Sequence, residues 1–115
     1  LIAASGADVP SAESPADYEA ARRMAASASD VEDRIRALQA LSAVPSDQAI
    51  DVLVVASRTG TDYRERAAAL TSLRMFAARG DVDPRIANAL RTAATDPDPI
   101  VRVIAESALE SADGR

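Results

Sequence analysis

The side chains from which a reaction could be built are few. Two aspartate pairs, Asp81/Asp83 and Asp96/Asp98, each run into a proline, and Tyr18 and Tyr63 are the other candidates for proton transfer. Histidine and cysteine are absent, which removes the usual neutral-pH general base and the usual zinc ligands. A calcium site wants about six to eight oxygens, more than either aspartate loop offers. Neither a glycine-rich phosphate loop nor a Gly-x-Ser-x-Gly elbow occurs. An aspartate followed by proline at a helix start is explained by capping: its carboxylate accepts from first-turn amides that have no partner within the helix. The expectation is a protein without catalytic residues, bound metal or cofactor, and not an enzyme.

Composition narrows the fold class. The 115 residues carry a net charge of −5, and all 13 basic residues are arginine. The negative balance disfavours a generic nucleic-acid binder. Lysine-free composition fits GC-rich bacterial codon usage, and arginine also favours planar, bidentate contacts with carboxylates. Alanine supplies 27 residues against three aromatics, Tyr18, Tyr63 and Phe76. Alanine has the highest helix propensity and lets backbones approach closely. With no strand-like alternation of any length, the chain reads as all-α. No run approaches the ~18 apolar residues of a membrane span. Without cysteine, compartment is left open between a bacterial cytoplasm and periplasm.

The pattern that organises the chain is a repeat. Asp30-Val-Glu-Asp-Arg34-Ile-Arg-Ala37-Leu-Gln-Ala40-Leu41 aligns with Asp62-Tyr-Arg-Glu-Arg66-Ala-Ala-Ala69-Leu-Thr-Ser72-Leu73, and both align with Asp98-Pro-Ile-Val-Arg102-Val-Ile-Ala105-Glu-Ser-Ala108-Leu109. The arginines Arg34, Arg66 and Arg102 are spaced by 32 and 36 residues. A period in this range is the mark of a helical array. Asp30, Asp62 and Asp98 read as N-caps, and Asp33 and Glu65, three residues on, make the first two copies resemble capping boxes. The alanine positions allow close helix approach, while the leucines fill the core stripe.

A second set of helices lies between these copies. Tyr18, Ile50 and Ile86 stand 16 residues before the three arginines and form one column, with Arg22, Val54 and Leu90 beneath them. Ser46 or Asp47 starts the middle member, and Asp83-Pro84 starts the last in the preferred cap-then-proline order. Six helices follow, at roughly 16–28, 31–43, 47–57, 63–78, 84–94 and 99–111. Short turns between them predict antiparallel pairs, a short α-solenoid of about three pairs.

The segment Asp96-Pro-Asp-Pro-Ile-Val-Arg102-x2-Ala105-x2-Ala108-Leu109 resembles a HEAT repeat, with its Asp-Pro and Val-Arg. The middle copy is a degenerate member, lacking both the Asp-Pro and the valine before Arg66. The resemblance covers roughly residues 16–111. It implies a HEAT-like α-solenoid and says little of function, because such repeats serve many unrelated partners. With catalytic side chains missing, the expectation is a non-catalytic scaffold that binds another protein on the face made by the helices at 16–28, 47–57 and 84–94. On that face the residues turned away from the core are Asp51, Val55, Arg58, Asn88, Arg91, Thr92 and Thr95, with Arg58 and Arg91 as forked donors to a partner's carboxylates or carbonyls. Two other readings are a self-assembly or structural domain of a larger or membrane-anchored protein and a HEAT-like nucleic-acid module. The acidic balance, the missing tryptophan and the scattered arginines speak against the last. The last repeat helix places Ile104 where its siblings have Arg36 and Ala68, an apolar outer side. It also places Glu106 where they have Leu38 and Leu70, as a terminal cap would. The expected state is a monomer or weak homo-oligomer.

The start, Leu1-Ile-Ala-Ala-Ser5, has no initiator methionine and reads equally as an arbitrary boundary or as the remainder of a removed signal or anchor. Residues 1–15 read as a linker, 16–111 as the repeat domain and 112–115 as a tail. Residues 1 to about 14 have too little apolar surface to offset the entropy of ordering. Deleting them is expected to leave the cooperative thermal melt intact; a lost transition would place the segment inside the domain.

Overall fold

From the second helix on, each helix begins where a short polar side chain takes over free amides of the first turn. In the computed structural model, which describes residues 15–43, 46–80 and 83–113, Asp30, Asp62 and Asp83 accept from the amide two residues on. Asp98 accepts from the amides of Ile100 and Val101, and Ser46 accepts from that of Ala49. Six α-helices result among the described residues, with no strand. They are α1 (Pro15–Ser27), α2 (Val31–Ala40), α3 (Asp47–Thr59), α4 (Tyr63–Ala78), α5 (Pro84–Ala93) and α6 (Pro99–Asp113). The all-α expectation holds, and the boundaries differ in places. Leu41–Ala43 tightens into a 3-10 turn and does not continue α2. The third helix runs on to Thr59, whose hydroxyl donates to the Val55 carbonyl, and α6 runs two residues past the expected 111. At the end of α4, Gly80 adopts φ 101°, a left-handed conformation that suits glycine, and donates to the Ala77 carbonyl.

Consecutive helices pack as hairpins: α1 on α2, α3 on α4, α5 on α6. One layer is formed by α2, α4 and α6 side by side. In the other, α3 packs closely on α5 and only sparsely on α1. The alanines of the repeat explain the tight layer. Ala37, Ala69 and Ala105 are all fully buried, so neighbouring backbones approach with no longer side chain between them. The hydroxyl of Ser72 on α4 spans this seam and donates to the Leu38 carbonyl of α2 at 3.0 Å.

The repeat predicts one core built from Leu38, Leu41, Ile50, Val54, Leu70, Leu73, Ile86, Leu90 and Leu109, and all of these but Val54 and Leu109 are buried in one cluster. Val54 and Leu109 are corrections, packed against that cluster but only partly covered. Val54 borders a groove between α3 and α5, and Leu109 lies on α6, which among the described residues packs mainly on α4 and α5. The outer side of α6 differs too: Ile104 is partly buried, while Ile100 and Val103 stand 51% and 60% exposed. Phe76, which the repeat pattern did not single out, is among the largest fully buried side chains.

Leu70 on α4 is fully buried where the two layers meet. Leu70→Ala is expected to lower unfolding stability by roughly 2–5 kcal/mol, the range for a cavity left in a packed core. Chemical denaturation measures it directly, and a midpoint equal to wild type would contradict the packing described.

Candidate binding face

The repeated arginine, to which the sequence pattern assigns no role, joins one hairpin to the next. Arg34 lies on α2 behind the Asp30 cap, and its Nη1 donates to the Ala28 carbonyl at 2.6 Å. Its other edge reaches across to α4, with Nε to Glu65 Oε2 at 2.9 Å and Nη2 to Oε1 at 3.1 Å. The step recurs one repeat later. Arg66 Nη1 donates to the Gly60 carbonyl at 2.9 Å, while Nε and Nη2 hold the Asp96 carboxylate at 2.9 and 3.1 Å. The carboxylates are nearly buried, Glu65 keeping 7% of its side-chain surface and Asp96 8%. Glu65 therefore does not close a capping box on its own helix. Asp33 does not either: it is buried and pairs with Arg36 one turn on.

Electrostatics follow this geometry. The hydrogen bonds that they donate to Glu65 and to Asp96 hold the Arg34 and Arg66 guanidinium groups firmly protonated, each pKa raised. Burial alone pushes Asp96 up, but the bonds from Arg66 and from the Asp98 amide outweigh it and leave its pKa lowered. Asp62 and Asp83 are held at about 2, first by the side chains of Arg64 and Arg85 and then by the amides they cap.

Above the Arg34–Glu65 pair lies a cleft of about 620 Å3, opened where α1 and α3 diverge. Ala25, Ala26 and Ala28 form one wall. Val52, Val55 and Ala56 form the other, with Thr59, Gly60 and Thr61 at the end. Gly60 is required here by space. A Cβ would stand 2.8 Å from the Ala56 carbonyl oxygen and 3.2 Å from both Arg66 Cγ and Glu65 Cγ. A smaller depression of about 190 Å3 lies between α3 and α5, bordered by Val54, Arg58, Arg85, Asn88, Ala89 and Thr92.

The seven predicted contact residues do not fall into one site. Asp51 and Val55 line the cleft; Arg58, Asn88 and Thr92 line the depression; Arg91 and Thr95 line neither. All seven are exposed, Val55 to 49%. Several have partners that the sequence did not suggest. Asp51 accepts from Arg85 Nη1 at 2.8 Å, within a cluster where Arg85 also holds Asp47 and Asp83. Arg91 Nη2 donates to Asn88 Oδ1 at 2.7 Å. The sequence reading missed the cleft floor, Arg34 and Glu65. Its one available signal was the arginine recurring at a fixed place behind each cap. Among the described residues no group of three or more acids stands where a metal ion could be held; Asp81 lies outside them. No helix among them is long and apolar enough to cross a membrane. Compared with known proteins, the chain matches no family model, no curated protein and no solved structure.

Depressed carboxylate pKa values set the acid limit of the fold. Asp62, Asp83 and Asp96 bind protons less readily folded than unfolded, where an aspartate titrates near 3.8. Their stabilisation is fully present above that value and fades as pH falls toward about 2. The melting temperature is therefore expected to drop between about pH 4 and pH 2, and Asp96→Asn to flatten part of that drop. An acid profile identical in wild type and Asp96→Asn would show that the Arg66–Asp96 pair carries no pH-linked stability.

Proposed function

We propose that this chain is a short HEAT-like α-solenoid that holds another protein against the face of α1, α3 and α5, without catalysing a reaction. The observation that carries the reading is the cleft between α1 and α3. It combines apolar walls of alanine and valine with a charged floor and a polar end, the mixture that takes up one anchoring side chain of a partner. Val55, apolar and half exposed on an otherwise polar face, is the wall such an anchor would press on. Beyond it, Arg58 and Arg91 offer forked donors at the rim.

The pairing of helices into two layers and the arginine repeated from hairpin to hairpin support the solenoid reading. A nucleic-acid role is less well supported. Arg22, Arg34, Arg36, Arg64, Arg66 and Arg85 are each paired with carboxylates of the same chain, so their charge is not available for phosphates.

Val55→Arg should fill the cleft mouth while leaving the melting temperature within a degree or two of wild type, because the residue is surface-exposed. In affinity capture from a bacterial lysate, both Val55→Arg and the Arg58→Ala/Arg91→Ala pair are expected to lose proteins that the wild type retains. Identical catches from all three would remove this face from consideration. Retention of DNA at physiological salt would favour the nucleic-acid alternative.

A further inference from the structure

Charge in the cleft between α1 and α3 is unevenly matched. The ionisable residues that line it are Arg34, Asp51 and Glu65, one positive and two negative. The positive charge already has its partner: Arg34 directs Nε and Nη2 to the Glu65 carboxylate and Nη1 to the Ala28 carbonyl. Asp51 is what remains, one turn before Val55 on α3, with 70% of its side chain exposed. Its Oδ1 accepts from Arg85 at 2.8 Å, but Arg85 is shared among Asp47, Asp51 and Asp83, so that cluster keeps an excess of negative charge. The helix ends act in the same sense. The last turns of α1 and α3, the negative ends of their dipoles, both border the cleft. The last turn of α1 holds no basic residue, and the one on α3, Arg58, lines the depression toward α5. The positive ends of α2 and α4 are met by their own caps, Asp30 and Asp62.

We propose that the cleft takes a lysine or arginine side chain of a partner protein, with its aliphatic stem on the alanine and valine walls and its cationic head beside Asp51. The inference rests on the reading of the α1/α3/α5 face as protein-binding and names the chemistry of the anchor. A basic side chain suits such a place because its stem covers apolar surface while its head keeps polar company. An apolar anchor would take water from Asp51 and from the carbonyls at the helix ends, and would offer them no donor in return. An acidic anchor would meet Asp51 and Glu65 with Arg34 already engaged, and like charges at close range oppose binding. Residues 1–14, which precede α1, contain no arginine or lysine, so that stretch does not supply the anchor.

The probes are short serine-rich peptides, blocked at both ends, that differ only in a central lysine, arginine, norleucine or glutamate. The readout is the methyl resonances of Val52 and Val55 in the labelled full chain. The lysine and arginine peptides are expected to shift both saturably. Norleucine, which keeps lysine's stem without its charge, should bind at least about tenfold more weakly, the scale of one charge-assisted hydrogen bond. Asp51→Asn should remove most of that preference with the melt unchanged, because Asp51 is exposed and Arg85 keeps Asp47 and Asp83. Val55→Arg, the second variant, should silence the response at Val52. Norleucine binding as tightly as lysine, or an undiminished preference in Asp51→Asn, would overturn the inference and leave the protein-binding face standing. Silence with every peptide, while Val55→Arg still loses proteins that the wild type captures, would do the same. Silence together with identical captures would remove both readings. Shifts that follow protein concentration alone would make a second copy the occupant, and equal shifts from butylammonium would make it a free amine; either overturns the proposal.

Discussion

An arginine held at both ends is the constraint on which the stacking of this protein depends. One edge of the guanidinium is fixed to the chain just ahead of its own helix, at the carbonyl of Ala28 or Gly60. The other edge closes on a carboxylate in the following hairpin. Two parallel hydrogen bonds fix the plane of a carboxylate as well as its distance, so each pair sets how the next hairpin is rotated on the last. Removing one partner would strand a nearly buried charge, which generally costs more than the pair contributes when intact. A planar fork is needed for this geometry, and a lysine at the same place would offer a single point of charge. The all-arginine composition is therefore put to use at these positions, whatever its origin in codon usage.

Around that constraint the small residues set the spacing. With Ala37, Ala69 and Ala105 at the seams, α2, α4 and α6 come together closely, and leucines on either side complete the core. The opposite layer has no comparable pattern at α1. Arg22 stands where α3 and α5 have Val54 and Leu90, and it turns to Glu19 on its own helix. The contact between α1 and α3 is correspondingly sparser than that between α3 and α5, and the cleft opens on that side of α3. A cleft and a tight seam thus arise on opposite faces of the same three hairpins.

Much of the architecture was legible because its signals are local. Caps, prolines and leucine spacing mark helix starts to within a residue or so, and α4 matches its expected limits of 63 and 78. What escaped depends on distance in sequence. Glu65 lies 31 residues from Arg34 and Asp96 lies 30 from Arg66, yet they occupy different places in their repeats, one on the helix and one before its cap. Aligning the copies therefore hides the acceptor, and Glu65 looks like the acid of a capping box. The face of α3 and α5 was legible from helical periodicity, which gives direction but not depth. It could not show that Asp51 would be taken by Arg85, or that five of the candidates would separate into two depressions on either side of α3 while Arg91 and Thr95 line neither.

The position of α4 has a dynamic consequence. This helix packs against α2, α3, α5 and α6, whereas among the described residues α1 packs on α2 and only sparsely on α3. Local opening needs fewest contacts broken where packing is sparse, so backbone amides of α1 should exchange with solvent through partial unfolding that leaves α4 closed. The cleft lies on the seam between that loosely held first hairpin and the second. Whatever occupies it touches both walls and can bind well only while they stay together. Its binding free energy would then oppose fraying of the first hairpin, so that occupancy would be felt as slower amide exchange along α1 even where the ligand touches nothing.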